Sequence, residues 1–354
     1  MSGSRAAATP RRRFLTGGAA AGAGALLAAC TGNTSSSSSN SEAQTKAVSN
    51  NDKPGKQVTI GFSAPQADHG WIAAISKNAA AQAKQYKDVT FQPVAATNDP
   101  ATQIASIKTL ISKGVDAIVV LPFDGKALTP VGLQAMTAGI PVINLDRVFD
   151  TPRAYRTWIG GNNYGLGLAA GEYIATRLKQ EGKANPVIAE VAGIDNLQLT
   201  QDRSRGFRDA LTAAGFTVGI RQAAQFTVES GQSVMSNILQ AKSHIDAVWN
   251  HDDDQGVGVL AAIKQAHRAE FFMVGGAGSA NMMRLIKADN TVVKCTVTYP
   301  PTMASSAITL ARLISQGKGM SDLTEREVPA FIMLNSATVT KANVDKYLPL
   351  GFES

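Results

Sequence analysis

Cysteine is nearly missing from this chain of 354 residues, which has two, Cys30 and Cys295. That scarcity excludes a disulfide framework, and with Cys30 assigned below to lipid, Cys295 has no intramolecular partner. Val293 and Val297 flank Cys295 at two-residue spacing and place it in a strand, where a buried, inert thiol is expected. Histidine is scarce too, at four residues; His244 and His267 fall near helix ends, on the expected surface. A P-loop, an H-E-x-x-H and a G-x-S-x-G are all absent, so none of these familiar nucleotide, zinc or serine-hydrolase signatures is available. No nucleic-acid groove is indicated either. The formal charge is +7, but Arg5, Arg11, Arg12 and Arg13 precede residue 30 with no acid among them, and removing those four leaves +3, evenly spread.

The beginning of the chain carries an address. Arg11 and Arg12 precede Phe14, Leu15 and a weakly apolar Gly/Ala stretch that ends in Leu27, Ala28, Ala29 and Cys30. A twin-arginine pair before such a stretch is an export signal, and small residues before a cysteine form a bacterial lipoprotein cleavage site. The stretch 14–29 is too short and too glycine-rich to span a bilayer, whereas a diacylated Cys30 holds a mature chain at the outer face of the cytoplasmic membrane. Residues 1–29 are therefore expected to be removed. Five serines at 35–39 and further polar residues to about 55 read as a flexible spacer. About three hundred residues remain, more than one core usually serves, so two domains are expected.

From there strands and helices alternate. Expected strands are 57–63, 89–94, 117–121 and 141–145, with helices at 71–86, 101–112 and 128–138. The first helix shows Ile72, Ile75, Ala79, Ala83 and Tyr86 at helical spacing. Ala117-Ile118-Val119-Val120-Leu121 is apolar throughout, the mark of a strand buried on both faces of a parallel sheet. After Gly160 and Gly161 a second series follows: strands 187–191, 217–221, 247–250, 271–274 and 292–298, and helices 166–179, 201–214, 232–242, 256–266 and 280–288. The fold class is thus α/β, two doubly wound parallel-sheet lobes. Ligands of such sheets bind beyond the strand carboxyl ends, so two facing lobes make one cleft.

The residues just past the strands are polar and aromatic. Ser63 ends the first strand and Asp68, His69 and Trp71 follow it; Asp146 and Arg147 follow 141–145. In the second series Asp202 and Arg203 open a helix, Phe226 follows the second strand, and Asn250, His251, Asp252, Asp253 and Asp254 follow the third. Carboxylates accept from hydroxyls, Arg donates in a fixed fork, and an aromatic face packs on the C–H side of a sugar ring. A metal reading of His251-Asp252-Asp253-Asp254 is set aside, since consecutive residues at an extended strand end point to opposite sides. Gly165, Gly167 and Gly171 lie inside an expected helix and read as close helix packing, not a dinucleotide turn.

The segment Ile140 to Arg147, Asp202-Arg203 before Gly206-Phe207, and Ala247 to Asp253 resemble the ribose- and galactofuranose-binding proteins of the periplasmic-binding-protein type I superfamily. Gly61-Phe62-Ser63 followed by Gly70-Trp71 is more similar to the galactofuranose branch. The resemblance implies three crossovers between lobes, one lobe formed by 57–160 with 299–331 and the other by 161–298 with 332–354. It implies a monomeric solute-binding lipoprotein that captures a monosaccharide and delivers it to an ABC permease, with no cofactor and no bound metal. Asp146, Arg147 and Arg203 would hold hydroxyls, Trp71 and Phe226 would sandwich the ring, and Asp252 stands where the ribose branch has an asparagine. Two departures stand out: Gly275-Gly276-Ala277-Gly278 replaces a site aspartate, and Thr298 stands for a hinge glutamine. They leave the sugar open, a smaller, deoxy or polyol ligand included. The rival readings are a sugar-sensing receptor component, a sugar- or nucleoside-processing enzyme, which lacks a separate acid and base pair, and a repressor, which lacks a DNA-reading head.

Overall fold

The computed structural model describes Asn51 and residues 53–354. Arg11, Arg12, Cys30 and most of the serine-rich spacer lie outside the described residues. None of the described helices is long and apolar enough to cross a membrane.

The first series runs β1 (Val58–Ser63), α1 (Gly70–Gln85), β2 (Val89–Pro93), α2 (Pro100–Ser112), β3 (Ala117–Val120), α3 (Gly125–Thr137), β4 (Val142–Leu145) and β5 (Thr157–Gly161). The second runs α4 (Asn163–Gln180), β6 (Ile188–Ala192), α5 (Gln198–Ala213), β7 (Ile220–Ala223), α6 (Val228–Ala241), β8 (Ala247–Asn250), α7 (Asp253–Gln265), β9 (Phe272–Ala277), α8 (Ala280–Ala288) and β10 (Val293–Thr298). Then come α9 (Met303–Ser315), β11 (Phe331–Leu334), β12 (Thr338–Thr340) and α10 (Val344–Tyr347). Several helices begin three or four residues before the expected start because side chains cap them. Asp124 accepts from the Ala127 amide, Asn162 from Gly165, and Thr227 from Ser230. Such caps set the start of a helix more sharply than its apolar stripe does. Strand β7 lies later than 217–221, since its pairing aligns Ile220 with Ala189 and Ala223 with Ala192.

Two six-stranded sheets result, ordered β11-β5-β4-β3-β1-β2 and β12-β10-β9-β8-β6-β7. Every pairing is parallel except β10 with β12. The two orders match, so each sheet has its switch point at its first strand, between β1 and β3 or between β6 and β8, where ligand loops diverge. The chain passes between sheets after β5, after β10 and after β11. The third passage lies at 335–337, so a lobe boundary at residue 331 falls inside β11, which pairs with β5 along its length. Cys295 is buried in β10, and burial pushes its thiol up.

Glycine sets how closely α4 and α5 approach. A Cβ at Gly167 would stand 1.9 Å from the Arg203 carbonyl oxygen, and one at Gly206 would stand 2.1 Å from that of Tyr164. Only bare backbone fits there, and this contact holds Arg203 at its place on α5.

Residues at the end of the expected spacer are bound to the first lobe. Arg312 of α9 reaches the carbonyls of Asn51 and Lys53 and pairs with Asp88 at 2.6 and 2.8 Å, while the Gly55 amide donates to Asp88 at 2.5 Å. Composition alone assigned these residues to free chain; their backbone amides and carbonyls find partners instead. Asp88 and Arg312 are both buried, and a buried pair that loses one member leaves a charge without compensation. Arg312→Met is therefore expected to cost about 3–5 kcal/mol, seen as a lower denaturant midpoint at unchanged slope. The Arg312 hydrogen bond holds the Asp88 carboxyl far below the usual carboxylate range. Its stabilising share is thus full above the ordinary carboxylate pKa, about 4, and is lost as the pH falls below it.

Candidate ligand-binding site

Three strand ends carry backbone that few residues adopt, Ala277 at the end of β9 with φ 82° among them. Asp146, just past β4, has φ 61°, and Phe226, past β7, has φ 64°. Left-handed backbone at a non-glycine residue costs of order 1–3 kcal/mol and persists only where the surroundings enforce it. At Asp146 and Phe226 they do. The Asp146 amide donates to Ile159 at 2.9 Å and its carbonyl accepts from Trp158 Nε1 at 2.9 Å. The Phe226 amide donates to Gln255 Oε1 at 3.1 Å, and its ring lies where a Cβ of Gly193 would be.

From Asp146 a hydrogen-bonded chain crosses the cleft. Tyr299, in the second passage between lobes, donates its hydroxyl proton to Asp146 Oδ1, and Asn163 Nδ2 donates to the Tyr299 oxygen at 3.1 Å. Asn163 Oδ1 accepts from Arg203 Nε at 2.8 Å, and Arg203 Nη1 donates to the His251 carbonyl at 3.1 Å. The Arg203 guanidinium lies over the Tyr299 ring at 4.7 Å and 5.8 Å from that of Phe226. His69 faces Phe226 at 6.3 Å, and Trp71 packs on Tyr299 at 5.6 Å. The structure thus joins Asp146, Arg203, Phe226, His69 and Trp71 in one belt, with Asp252 close enough to His69 and Arg203 to feel their charges.

Three expected residues stand differently. Ser63 and Thr298 lie at strand ends, but Ser63 Oγ accepts from Gln103 Nε2 at 3.1 Å and Thr298 Oγ1 from the Ala337 amide at 2.8 Å. Thr298 therefore ties β10 to the third passage. Asp68 is 43% exposed at its side chain and pairs with His69 Nδ1 at 2.5 Å, so it orients that ring from outside. Arg147 donates Nη1 to the Phe123 carbonyl at 2.7 Å, while its buried Nε has no partner. A buried donor without an acceptor costs free energy, and this one invites a ligand oxygen. A groove of about 460 Å³ opens beside Asp146 and Arg147, bounded by Trp158, Asn163, Asp202 and Phe331. Larger hollows of about 640 and 820 Å³ around Arg177 contain none of these residues.

The run Asp252, Asp253, Asp254 divides among three tasks. Asp252 caps α7, accepting from the amides of Asp254 and Gln255. Asp253 turns inward to the Gly276 and Ser279 amides at 2.9 and 2.7 Å and to Thr296. A Cβ at Gly275 would lie 2.3 Å from its carboxylate, so the glycine run in place of an acid makes room for Asp253. Asp254 accepts from the Trp71 amide in the other lobe. Behind Arg203 lies a buried pair, His251 Nε2 with Glu190 Oε1 at 3.0 Å, Glu190 also taking the Ser204 hydroxyl. Burial pushes the Glu190 carboxyl up, and the His251 and Ser204 hydrogen bonds more than reverse this.

Tyr299 and Asn163 went unselected in the sequence, whereas Asp254, one of the carboxylates noted past the third strand, turns to the Trp71 amide. Tyr299 had a signal, for it follows β10 as directly as Asp146 follows β4. Asn163 had none, because its role depends on the angle at which α4 meets Arg203.

Burial first, then the Asp254 charge, pushes the Asp252 carboxyl up to about 6. An acid raised in the fold is protonated more readily there than in the unfolded chain, so its contribution is full below about pH 4 and is lost as pH rises through about 6. Asp252→Asn keeps a capping oxygen and removes the charge. In ligand-free protein its melting temperature relative to wild type is expected to rise steadily between about pH 4 and pH 7; a pH-independent difference would contradict this.

Residues 60–319 match the model of the periplasmic binding protein domain family. The ribose import binding protein of Bacillus subtilis is 28% identical over 265 residues, 75% of this chain and 84% of that protein. The galactofuranose-binding protein of Escherichia coli is 30% identical over 216 residues, 59% of this chain and 66% of that one. A solved structure from Mycobacterium smegmatis in complex with β-D-fucofuranose superposes with a TM-score of 0.73 at 25% identity, covering 82% of this chain and 94% of that one.

Proposed function

Because the chain belongs to the periplasmic binding protein family, we propose that it is an extracytoplasmic lipoprotein that captures a neutral monosaccharide between its lobes and delivers it to an ABC importer. One observation carries this reading: a belt of carboxylate, guanidinium and aromatic groups, drawn from both lobes, meets at the switch-point edges of two sheets. Asp146 and Asp252 offer acceptors to hydroxyls, Arg147 and Arg203 offer donors, and Phe226 offers a ring face. The relatives named for ribose and galactofuranose support a pentose or a furanose form. Only a closed form can contact sugar from both sides, so ligand shifts the population toward closure and presents one surface to the permease. Cys30 supplies the membrane anchor, and the protein works as a monomer without a cofactor.

The test is thermal shift on purified protein, unfolded and refolded to strip carried-over ligand, against ribose, arabinose, galactose, fucose, allose and myo-inositol. A tight ligand raises the melting temperature by mass action; silence across the panel would direct attention to a different solute. With the ligand in hand, Arg203→Met is expected to weaken binding by about 1.5–3 kcal/mol, the worth of a hydrogen bond to a charged group. For the anchor, Cys30→Ala is expected to move the protein from the membrane fraction to the soluble one, and retention on membranes would refute lipidation at that residue.

A further inference from the structure

Helix α1 begins without a cap of its own. His69, at its N-cap position, makes no capping bond with its side chain, and the first turn contains no acidic residue. The first amides of a helix need acceptors, and their partial positive charge favours a carboxylate. In this structure the carboxylate comes from the other lobe. Asp254, in the first turn of α7, accepts a hydrogen bond from the Trp71 amide at 3.0 Å. The two helices belong to separate sheets, α1 packing on β2 and α9, α7 on β8 and β9. The contact is dry, with Asp254 3% and Trp71 5% exposed, so water and salt do not weaken it as they would a surface pair.

The approach is also close. A Cβ at Gly70 would stand 2.7 Å from Asp254 Oδ1 and 2.5 Å from the Glu353 carbonyl oxygen. The absence of a side chain at position 70 is what lets the helix end reach the carboxylate. Gly70 has an ordinary backbone angle, since it is not among the glycines of positive φ, and alanine there would be unstrained in a protein whose lobes stood apart.

We propose that Asp254 is a positioning residue for ligand capture: it caps α1 across the cleft and stabilises the closed form without touching the sugar. When the lobes separate, the Trp71 amide and the carboxylate both return to water, so the bond distinguishes closed from open. A contact made only in the closed form raises the apparent affinity for whatever is trapped there, because the binding-competent population grows. The gain resides in the rate of reopening, hence in ligand release rather than capture.

This inference rests on the sugar-capture reading, and the experiment separates the two. Release of the tightest-binding sugar of the panel is followed by stopped-flow tryptophan fluorescence in the full chain. Asp254→Ala is expected to raise koff about tenfold, equivalent to about 1.4 kcal/mol, with kon unchanged. Asp254→Asn, which keeps an acceptor oxygen, should lose less. Gly70→Ala acts from the opposite lobe with Asp254 intact and should also raise koff. The ligand-free melting temperature of all three should change little, by no more than the loss of one first-turn carboxylate or a Gly-to-Ala exchange gives, as the open form lacks the bond. Unchanged koff in Asp254→Ala and Gly70→Ala overturns the proposal, as does a ligand-free melting temperature that falls in step with affinity, which marks a merely structural role. Failure of every panel sugar to bind wild type overturns the capture reading and this inference together.

Discussion

The hydrogen-bonded path from Asp146 through Tyr299 and Asn163 to Arg203 is the interaction on which the rest of the molecule depends. Each end is a charged group that could not remain buried alone. Asp146 carries unfavourable backbone and a carboxyl pushed up by burial; Arg203 is 4% exposed in the opposite lobe. Tyr299 lies in the second passage between the sheets and Asn163 opens α4 just past the first, so residues at two of the segments that let the lobes move also satisfy the hydrogen bonds of the charged groups that face each other across them. A sugar hydroxyl presented to Asp146 or Arg203 meets a group already oriented, which lowers the ordering cost of binding.

A second constraint is charge density at the seam. Asp254 raises the Asp252 carboxyl, and His69, tied to Asp68, feels both carboxylates as the compensating group. Burial pulls the His69 pKa down, but the carboxylates around it, Asp68 foremost, raise it on balance. His251 behaves oppositely, its pKa pulled down by burial despite its bond to Glu190. The two histidines thus divide labour: one answers charge at the mouth, the other supports the carbonyl that Arg203 uses.

Much of this was legible in the chain. Alternating strands and helices, the both-face burial of 117–121, and the polar residues just past the strands follow from periodicity and from how parallel sheets are covered. Asp146, Arg203 and Phe226 were selected by position alone and do converge. Less legible were β5, whose last two residues are glycine, and β11 and β12, short strands each at a sheet edge whose pairing partners lie more than forty residues away. Helix starts set by Asn162, Asp124 and Thr227 were placed late because a polar cap precedes the apolar stripe. The departures at Gly275 and Thr298 were visible as residues but not as reasons: one clears space for Asp253, the other bonds Ala337.

Local chemistry therefore determined the α/β class, the doubling of the lobe and the kinds of group at the strand ends, because side-chain period and strand burial are properties of neighbouring residues. Only the tertiary structure decided which of those groups share a cleft, that Ser63 and Thr298 spend their hydroxyl oxygens on the scaffold, that Tyr299 and Asn163 complete the belt, and that Asp254 bonds the opposite lobe. Those outcomes depend on how two sheets are set against each other through three separated passages, and hydrogen bonds between residues far apart in sequence leave no periodic trace in it.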